Sequence, residues 1–167
     1  NDESGNGNNG IVNGAVLTTD RFGEIDKAYS FNGSDITVPD SPTISFSDSD
    51  SFSISVWVFR TENSSPMHIL GKRTACNGAS GESNYQLALG SDNNIYPGVP
   101  LELNQWKHIC WIFDGSAFKL FIDGALKATA TGPHPQNTAD LKIGNSDNCP
   151  TGWIGKIDDI RIYNRAL

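Results

Sequence analysis

Side chains able to catalyse a reaction are present, but they do not form a recognisable catalytic set. No Gly-x-Ser-x-Gly elbow accompanies the three histidines, which are His68, His108 and His134. Cys110 lies in an apolar stretch, and a thiol in such surroundings is expected to be buried and unreactive. The His and Cys residues also lack the spacing of zinc ligands. We therefore predict that the protein is not an enzyme of the nucleophilic or zinc-dependent kind.

Sugar binding needs fewer groups than catalysis does. It needs an aromatic ring that stacks on pyranose CH groups, and nearby planar polar side chains that bond the hydroxyls. Trp153 is the best candidate ring, because it lies between a predicted loop and the last predicted strand, where exposure is expected. The other candidates for this binding rim are Tyr85, Asn84, Tyr96, Lys72 and Arg73. The alternative is that Trp153 belongs to the core. We expect the three mid-strand tryptophans to be packing residues; these are Trp57, Trp106 and Trp111.

The adjacent bases Lys72 and Arg73 bear on the charge of the ligand. A guanidinium can bind a carboxylate or sulfate through two parallel hydrogen bonds. Two adjacent bases in an acidic protein therefore raise the hypothesis of a uronate-containing or sulfated polysaccharide. The alternative is that both are solvated ends of a strand and bind nothing.

The three cysteines indicate whether the protein belongs to an oxidising or a reducing compartment. Cys76 and Cys149 fall in loop-like segments, whereas Cys110 falls in a predicted strand. We predict a disulfide between Cys76 and Cys149 and a buried thiol at Cys110, which would imply an oxidising compartment. The alternative is three reduced cysteines, since two loop cysteines far apart in sequence need not come within disulfide geometry.

Length and charge limit the class of protein. A chain of 167 residues with 37% hydrophobic residues can bury one good core, so we predict a single domain over residues 1–167. The net charge of −7 argues against binding to a nucleic acid backbone, and no apolar run is long enough to insert into a membrane. The chain opens on Asn1 rather than on methionine, so we expect a module of a larger secreted protein.

The elements that must position these residues are strands. Residues 105–124 read as two successive hairpins with turns at Asp114-Gly115 and Asp123-Gly124, and we place them at the centre of an antiparallel sheet. Residues 52–60 alternate cleanly between two sets of side chains, as a strand with two different faces does.

Shorter patterns complete the prediction. We expect one strand over residues 11–17 and a hairpin over residues 27–39 that turns at Asn32-Gly33, and no amphipathic helix of useful length. About a dozen short strands separated by turn residues are typical of an all-β sandwich of two antiparallel sheets.

Six segments occur in an order typical of one known family. They are DESGNGNNG (2–10), KAYSFNG (27–33), FSISVWV (52–58), QWKHICWIFDG (105–115), KLFIDG (119–124) and IGKIDDIRIYNRAL (154–167). Together they resemble the laminin G-like, concanavalin A-like lectin/glucanase jelly rolls of secreted bacterial proteins. The resemblance covers nearly the whole chain and implies two sheets packed face to face, one of them concave, with loops at its rim.

The resemblance also implies a structural calcium ion. In similar domains a loop near the last strand helps to bind the ion, which makes Asp2, Asn6, Asn8 and Asp158 candidate ligands. We expect Asp158 to share its strand face with Ile160 and Ile162, where a buried carboxylate would need a partner such as a cation. The alternatives are a fraying N-terminal tail and, for Asp158, a salt bridge or bonds to backbone.

Catalysis by paired carboxylates is a separate possibility, because related folds include glucanases. In the similar laminarinase-type enzymes the acids lie on one strand in a Glu-x-Asp-x-x-Glu pattern. Glu24 and Asp26 begin this pattern, but Tyr29 stands where the last acid should be. Asp158 and Asp159 are not expected to replace them, because adjacent strand residues point to opposite faces.

These observations predict a non-catalytic carbohydrate-binding module of a secreted or cell-surface bacterial protein. We expect it to be tethered to a catalytic or adhesin domain, and to hold that partner near a polysaccharide. Two alternatives stay open at this point. One is an adhesin or protein-interaction domain, and the other is a glycan hydrolase or lyase.

Overall fold

The architecture was obtained from a computed structural model, which describes residues 1–62, 67–75, 83–89, 99, 101–146 and 152–167. Within these residues the regular structure consists of twelve β-strands and one short 3-10 helix. The strands are β1 (Ile11–Asn13), β2 (Val16–Thr18), β3 (Ala28–Asn32), β4 (Asp35–Val38), β5 (Phe52–Arg60), β6 (Met67–Arg73), β7 (Ser83–Leu89), β8 (Trp106–Phe113), β9 (Phe118–Ile122), β10 (Ala125–Ala130), β11 (Leu141–Ile143) and β12 (Ile154–Tyr163). The 3-10 helix spans Pro42–Ile44. None of the described helices is long and apolar enough to cross a bilayer.

The strands form two antiparallel sheets that stack into a sandwich. A five-stranded sheet has the order β1-β4-β11-β6-β7, and a seven-stranded sheet has the order β10-β9-β8-β5-β12-β3-β2. The predicted all-β, two-sheet fold is therefore confirmed. The predicted double hairpin is also present as β8, β9 and β10, but it forms one edge of the seven-stranded sheet rather than its centre.

At two places the chain passes from one sheet to the other, although the sequence predicted a single strand or a hairpin there. The single strand predicted over residues 11–17 is two strands, because β1 joins the five-stranded sheet and β2 joins the seven-stranded one. The hairpin predicted over residues 27–39 is likewise wrong, since β3 pairs with β2 and β12 while β4 pairs with β1 and β11. Phe31 and Ile36 explain the difference: each faces the core, but from opposite sheets.

The core lies between the two sheets and is organised by β5. The four alternating residues Phe52, Ile54, Val56 and Val58 are at most 1% exposed, as the alternation predicted. Each such side chain contributes roughly 2 kcal/mol when it leaves water. The Phe52 ring stacks on Phe46 at 4.7 Å between centroids, so the core extends into the loop after the 3-10 helix.

One buried histidine couples the core to pH. His134 is 2% exposed and its ring lies 5.4 Å from Phe52 and 4.3 Å from Phe113, edge to face in both pairs. Neither ring nitrogen has a hydrogen-bond partner in the part of the chain that the structure describes. Burial is the main reason why the pKa of His134 is lowered from its usual 6.5, although Asp48 opposes the shift.

This burial predicts acid sensitivity. As the pH falls below 6.5, the unfolded chain takes up a proton on His134 before the folded chain does, so stability is lost until the lowered folded pKa is reached. We expect His134→Phe, which cannot titrate, to show a shallower fall in melting temperature between about pH 7 and 5 than the unsubstituted protein. His108, whose pKa is also lowered, contributes to the pH dependence of the melting temperature that remains in His134→Phe. If the melting temperature falls equally with pH in the two proteins, His134 is not the source of the acid sensitivity.

Candidate functional site

The structure places the predicted binding rim inside the protein. Trp153, expected to be exposed, is 0% exposed and belongs to the hydrophobic core, where its Nε1 donates to the carbonyl oxygen of Lys156 at 3.2 Å. The expectation of an exposed Trp153 is therefore wrong, because the residue faces the space between the sheets rather than the solvent. A ring in this position supports packing and cannot stack on a sugar.

Two other members of the predicted rim fix loops to the sandwich. Tyr85 is 1% exposed, and its hydroxyl donates to the carbonyl oxygen of Ile44 at 2.9 Å. Asn84 is 0% exposed; its side-chain oxygen accepts from the Phe46 amide at 3.1 Å, and its side-chain nitrogen donates to the carbonyls of Phe46 and His134. With both ends of its amide occupied, Asn84 has the role of a structural bridge.

The two bases of the predicted rim are buried as well. Lys72 is 0% exposed, and its ammonium group donates to Asp40 at 2.6 Å and to the carbonyl oxygens of Asn137 and Ala139. Arg73 is 5% exposed and bonds the side chain of Gln86. Neither base is a solvated strand end, and neither is available to a ligand anion in this arrangement.

Three remaining predictions fall outside the described residues. Tyr96 lies there, and so do both members of the predicted disulfide, Cys76 and Cys149. Cys110 is described and carries a free thiol on β8. It is half-buried rather than fully buried as expected, and this partial burial raises the pKa of the thiol.

The best-formed candidate surface is instead the outer face of the seven-stranded sheet, the face turned away from the core. On β5 and β8, cross-strand pairs in register present aromatic side chains to this face: Trp57 opposite His108, and Phe59 opposite Trp106. All four are half-buried. We call these four residues the outer aromatic face.

The rings of the outer aromatic face contact each other across the two strands, in two pairs. Trp57 and His108 lie 5.1 Å apart between centroids, and Phe59 and Trp106 lie 5.6 Å apart. Half-exposed rings across neighbouring strands give a broad apolar surface with polar edges. Such a surface fits the CH face of a sugar ring, which has the same mixture of apolar and polar contacts.

Arg21 borders the outer aromatic face and contacts its Trp57 ring. Arg21 lies in the connection between β2 and β3, and its guanidinium lies 4.9 Å from the Trp57 ring and 4.4 Å from the Phe22 ring. One nitrogen bonds Asp158 and the other bonds Asp159, each at 2.7 Å. Phe22 is 75% exposed, so it adds a free ring at the edge of the outer aromatic face.

A β-bulge allows one arginine to reach both carboxylates. The register of β12 against β5 shifts between Asp158 and Arg161, and Asp159 has a positive φ of 47°. The expectation that the two adjacent aspartates point to opposite faces is therefore wrong at this place. Burial raises the pKa of Asp158, and the negative charge of Asp159 adds to that increase.

The bulge also corrects the expected surroundings of Asp158. Residue 158 lies opposite Trp57 on the outer side, whereas Ile162 lies opposite Ile54 on the core side. The two therefore do not share a face, and the partner that the Asp158 carboxylate needed is Arg21. Of the alternatives that the sequence left open, the salt bridge is the one observed.

His108 supplies a polar edge to the outer aromatic face. Its Nε2 lies 2.8 Å from the Ser55 hydroxyl, which neighbours Trp57 on the same side of β5. Burial is the main cause of the lowered pKa of His108, and the charges of Arg21 and Arg161 lower it further while Asp123 opposes them. The imidazole is therefore neutral at pH 7, and both it and the Ser55 hydroxyl can exchange hydrogen bonds with uncharged hydroxyl groups.

The side-chain pattern of β5 contains a signal for this face. Along β5 the core set is entirely apolar, but the opposite set is Ser53, Ser55, Trp57 and Phe59. Serines on the same strand face as two aromatics indicate a surface that is not part of the core. Trp57 and Trp106 were expected to pack in the interior, and this expectation is wrong; for Trp111, which is 1% exposed, it is confirmed.

A cavity elsewhere on the molecule has different chemistry from the outer aromatic face. A cavity of about 350 Å³ lies beside the β9–β10 hairpin. Its described lining consists of Val99, Leu101, Glu102, Lys107, Ile122, Asp123, Ala125 and Lys127. None of these lining residues is aromatic, so the cavity offers no ring for stacking. The outer aromatic face is the better candidate for a sugar.

The candidate calcium ligands Asp2, Asn8 and Asp158 are bonded to other parts of the chain. The Asp2 carboxylate accepts the amides of Ser4 and Asn8 at 3.0 and 2.9 Å, and also the Ser4 hydroxyl. The Asn8 side chain bonds the Thr43 hydroxyl within the 3-10 helix, which ties the N-terminal loop to that helix. Asp158 pairs with Arg21 on the outer side of the other sheet.

The bonds described for these candidate ligands are to other groups of the chain. The loop turns N–H donors toward a carboxylate, whereas a calcium ion requires six to eight oxygen ligands turned toward itself. For Asn6 the described bonds are to the Ser4 hydroxyl alone. Within the described part of the chain, no group of three or more His, Cys, Asp or Glu side chains converges on a point where a metal could bind. Calcium therefore stays a prediction from the sequence.

Comparison with known proteins identifies the type of domain. A family model described as the concanavalin A-like lectin/glucanases superfamily matches residues 31–167. No curated protein matches the chain.

Solved structures share the fold at low sequence identity. Domain 4 of AbnA, an extracellular GH43 arabinanase from Geobacillus stearothermophilus solved with arabinotriose, is 22% identical with a TM-score of 0.66, over 95% of this chain and 83% of that one. The binding domain of Paraclostridial Mosquitocidal Protein 1 is 19% identical with a TM-score of 0.73, over 99% of this chain and 46% of that one. A Trypanosoma rangeli sialidase mutant is 16% identical with a TM-score of 0.65, over 95% of this chain and 27% of that one. The chain thus spans less than half the length of the last two.

Proposed function

Because the chain belongs to the concanavalin A-like lectin/glucanases superfamily, we propose that it is a non-catalytic domain that binds a polysaccharide. The observation that carries the proposal is the outer aromatic face, two pairs of half-exposed rings with neutral hydrogen-bonding groups beside them. The arabinotriose bound to domain 4 of the arabinanase shows that a domain of this fold has been solved with a glycan. That likeness makes a glycan the first ligand class to test here.

The proposed action is retention without bond chemistry. The domain would hold an attached enzyme or adhesin close to a polysaccharide outside the cell, and the rings would supply the contact. Retaining glycosidases need one carboxylate as nucleophile and another as acid, about 5 Å apart. Asp158 and Asp159 are both bonded to Arg21, and Glu24 and Asp26 lie in the connection between β2 and β3 rather than on a strand.

Titration calorimetry against a panel of soluble polysaccharides tests the proposal. We expect saturable binding to at least one member, with no release of reducing ends or unsaturated sugars by the domain alone. Binding to no member would contradict the polysaccharide ligand. Sugar release that grows with time would contradict the absence of catalysis.

A protein ligand is the second candidate function, and one observation favours it. Apolar side chains of β1 and β2 are exposed along the edge where the two sheets meet, including Ile11 at 59% and Val16 at 64%. Exposed apolar patches often mark protein interfaces. A domain that binds no glycan, and whose substitution Val16→Glu prevents capture of a defined partner, would support this second function.

A further inference from the structure

We infer that the polysaccharide is a neutral one, and that Arg21 positions the Trp57 ring of the outer aromatic face instead of binding a ligand anion. This inference rests on the proposed function and adds the class of ligand. It reverses the expectation of an acidic or sulfated polysaccharide, which depended on Lys72 and Arg73. Both of those bases are buried and bonded to other parts of the chain.

Both terminal nitrogens of the Arg21 guanidinium are bonded within the protein. Its two terminal nitrogens bond different carboxylates, Asp158 and Asp159, at 2.7 Å each. Two aromatic rings, those of Trp57 and Phe22, lie within 5 Å of the same group. An anion that displaced Asp158, whose side chain is 9% exposed, would leave this carboxylate without its partner, which is unfavourable. The fork geometry that makes arginine a good anion ligand is thus used within the protein.

Two other cations near this face are also bonded. The ammonium of Lys156 donates to the carbonyl oxygen and the hydroxyl of Thr19 at 3.3 and 3.0 Å, and it lies 5.7 Å from the centre of the Phe59 ring. Arg161 forms an ion pair with Asp159 at 3.8 Å, and its side chain is 61% exposed, so solvent and salt weaken its attraction for a ligand anion.

The surrounding charge disfavours an anionic chain. The connection that carries Arg21 also carries Asp20, Glu24 and Asp26, and the whole protein has a net charge of −7. A polyanion approaching this surface would be repelled at low ionic strength. By contrast, the neutral imidazole of His108 and the Ser55 hydroxyl match the uncharged hydroxyl groups of a neutral glycan.

The test compares neutral and anionic polysaccharides at two salt concentrations. Arabinan and a soluble β-glucan serve as neutral probes, and polygalacturonate and chondroitin sulfate as anionic ones, each titrated in about 20 and 500 mM NaCl, where screening differs strongly. We expect saturable binding to a neutral probe, with affinities at the two salt concentrations that agree within about twofold. Tighter binding to an anionic probe, with a marked loss in high salt, would overturn the inference and leave the proposed function standing. Binding to none of the probes would overturn both.

Two matched variants separate positioning from anion binding. Arg21→Lys keeps the positive charge but loses the fork and the stacking, so we expect neutral-glycan affinity to fall by about tenfold with no new salt dependence. Arg161→Lys makes the same chemical change at an exposed position and should leave affinity unchanged. If Arg21→Lys also binds as the unsubstituted protein does, Arg21 does not position the Trp57 ring. If it changes only the binding of anionic probes, Arg21 is an anion ligand after all.

Discussion

Replacing Asp40 by alanine is expected to lower the free energy of unfolding by about 3 kcal/mol, the low end of the loss seen when one partner of a buried ion pair is removed. The reason is Lys72, which is 0% exposed and lies 2.6 Å from Asp40. Without the carboxylate, an ammonium group would stay buried with only carbonyl and amide oxygens as partners. Because the Asp40 side chain is 32% exposed, water can replace part of what is lost, and we therefore take the low end.

The bond to Lys72 is also the main reason why the pKa of Asp40 is lowered. Since the folded pKa lies below the unfolded one, this contribution is present above pH 3.8 and is lost as the pH falls through the lowered value. Chemical denaturation at pH 7 and at pH 3 measures it. The difference between the unsubstituted protein and Asp40→Ala should be smaller at the lower pH.

A matched surface pair provides the control for Asp40→Ala. Glu102 lies 2.9 Å from Lys107, but its side chain is 63% exposed. Exposed pairs contribute roughly 0–1 kcal/mol, so Glu102→Ala should change the free energy of unfolding by less than about 1 kcal/mol. If Asp40→Ala and Glu102→Ala lower the free energy of unfolding equally, Lys72 does not have a buried structural role. It would then be the solvated base at the end of a strand that the sequence also allowed.

Replacing Trp57 by alanine is expected to weaken polysaccharide binding by a factor on the order of 30, the effect of losing an interface hot spot worth about 2 kcal/mol. Trp57 is central to the outer aromatic face: it contacts His108 and the Arg21 guanidinium, and it lies opposite Asp158. Its removal takes away a stacking surface and also the support for its neighbours. Titration calorimetry with the polysaccharide that binds most tightly measures the change in affinity.

Val16→Ala is the control for Trp57→Ala. Val16 is an exposed apolar residue on β2, at the edge of the same sheet, and contributes no ring. Its substitution should leave the affinity unchanged, and near-ultraviolet circular dichroism should show that both variants keep the fold. An unchanged affinity for Trp57→Ala, with the fold intact, would place the binding site elsewhere on the molecule.

The fold could be predicted from the sequence because its signals are local. The alternation over residues 52–60 and the Asp-Gly turns that follow β8 and β9 are each readable within a few residues. The structure confirms these strands and the all-β sandwich that they form. Local signals do not identify the partner of each strand. For this reason the sequence predicts that β3 and β4 pair with each other, although they belong to different sheets.

The candidate site was harder to predict because it depends on contacts between distant residues. Arg21 lies 137 residues from Asp158 along the chain, and the bulge that turns both aspartates toward it has no sequence pattern as clear as a turn. Lys72 appeared to be a surface base because lysine is seldom buried without a partner, and its partner Asp40 lies 32 residues away. Trp153 was given an exposed position because it follows a loop, but the strand geometry turns its ring inward.

The indole N–H resonances of the four tryptophans test the central claim most directly, since two of these rings lie on the outer aromatic face and two lie in the core. Trp57 and Trp106 are half-exposed, whereas Trp111 and Trp153 are 1% and 0% exposed. In a two-dimensional NMR titration with an oligosaccharide of the bound polysaccharide, we predict saturable shifts for Trp57 and Trp106 and little change for Trp111 and Trp153. Shifts confined to Trp153, or saturable binding that leaves Trp57 and Trp106 unmoved, would contradict the account.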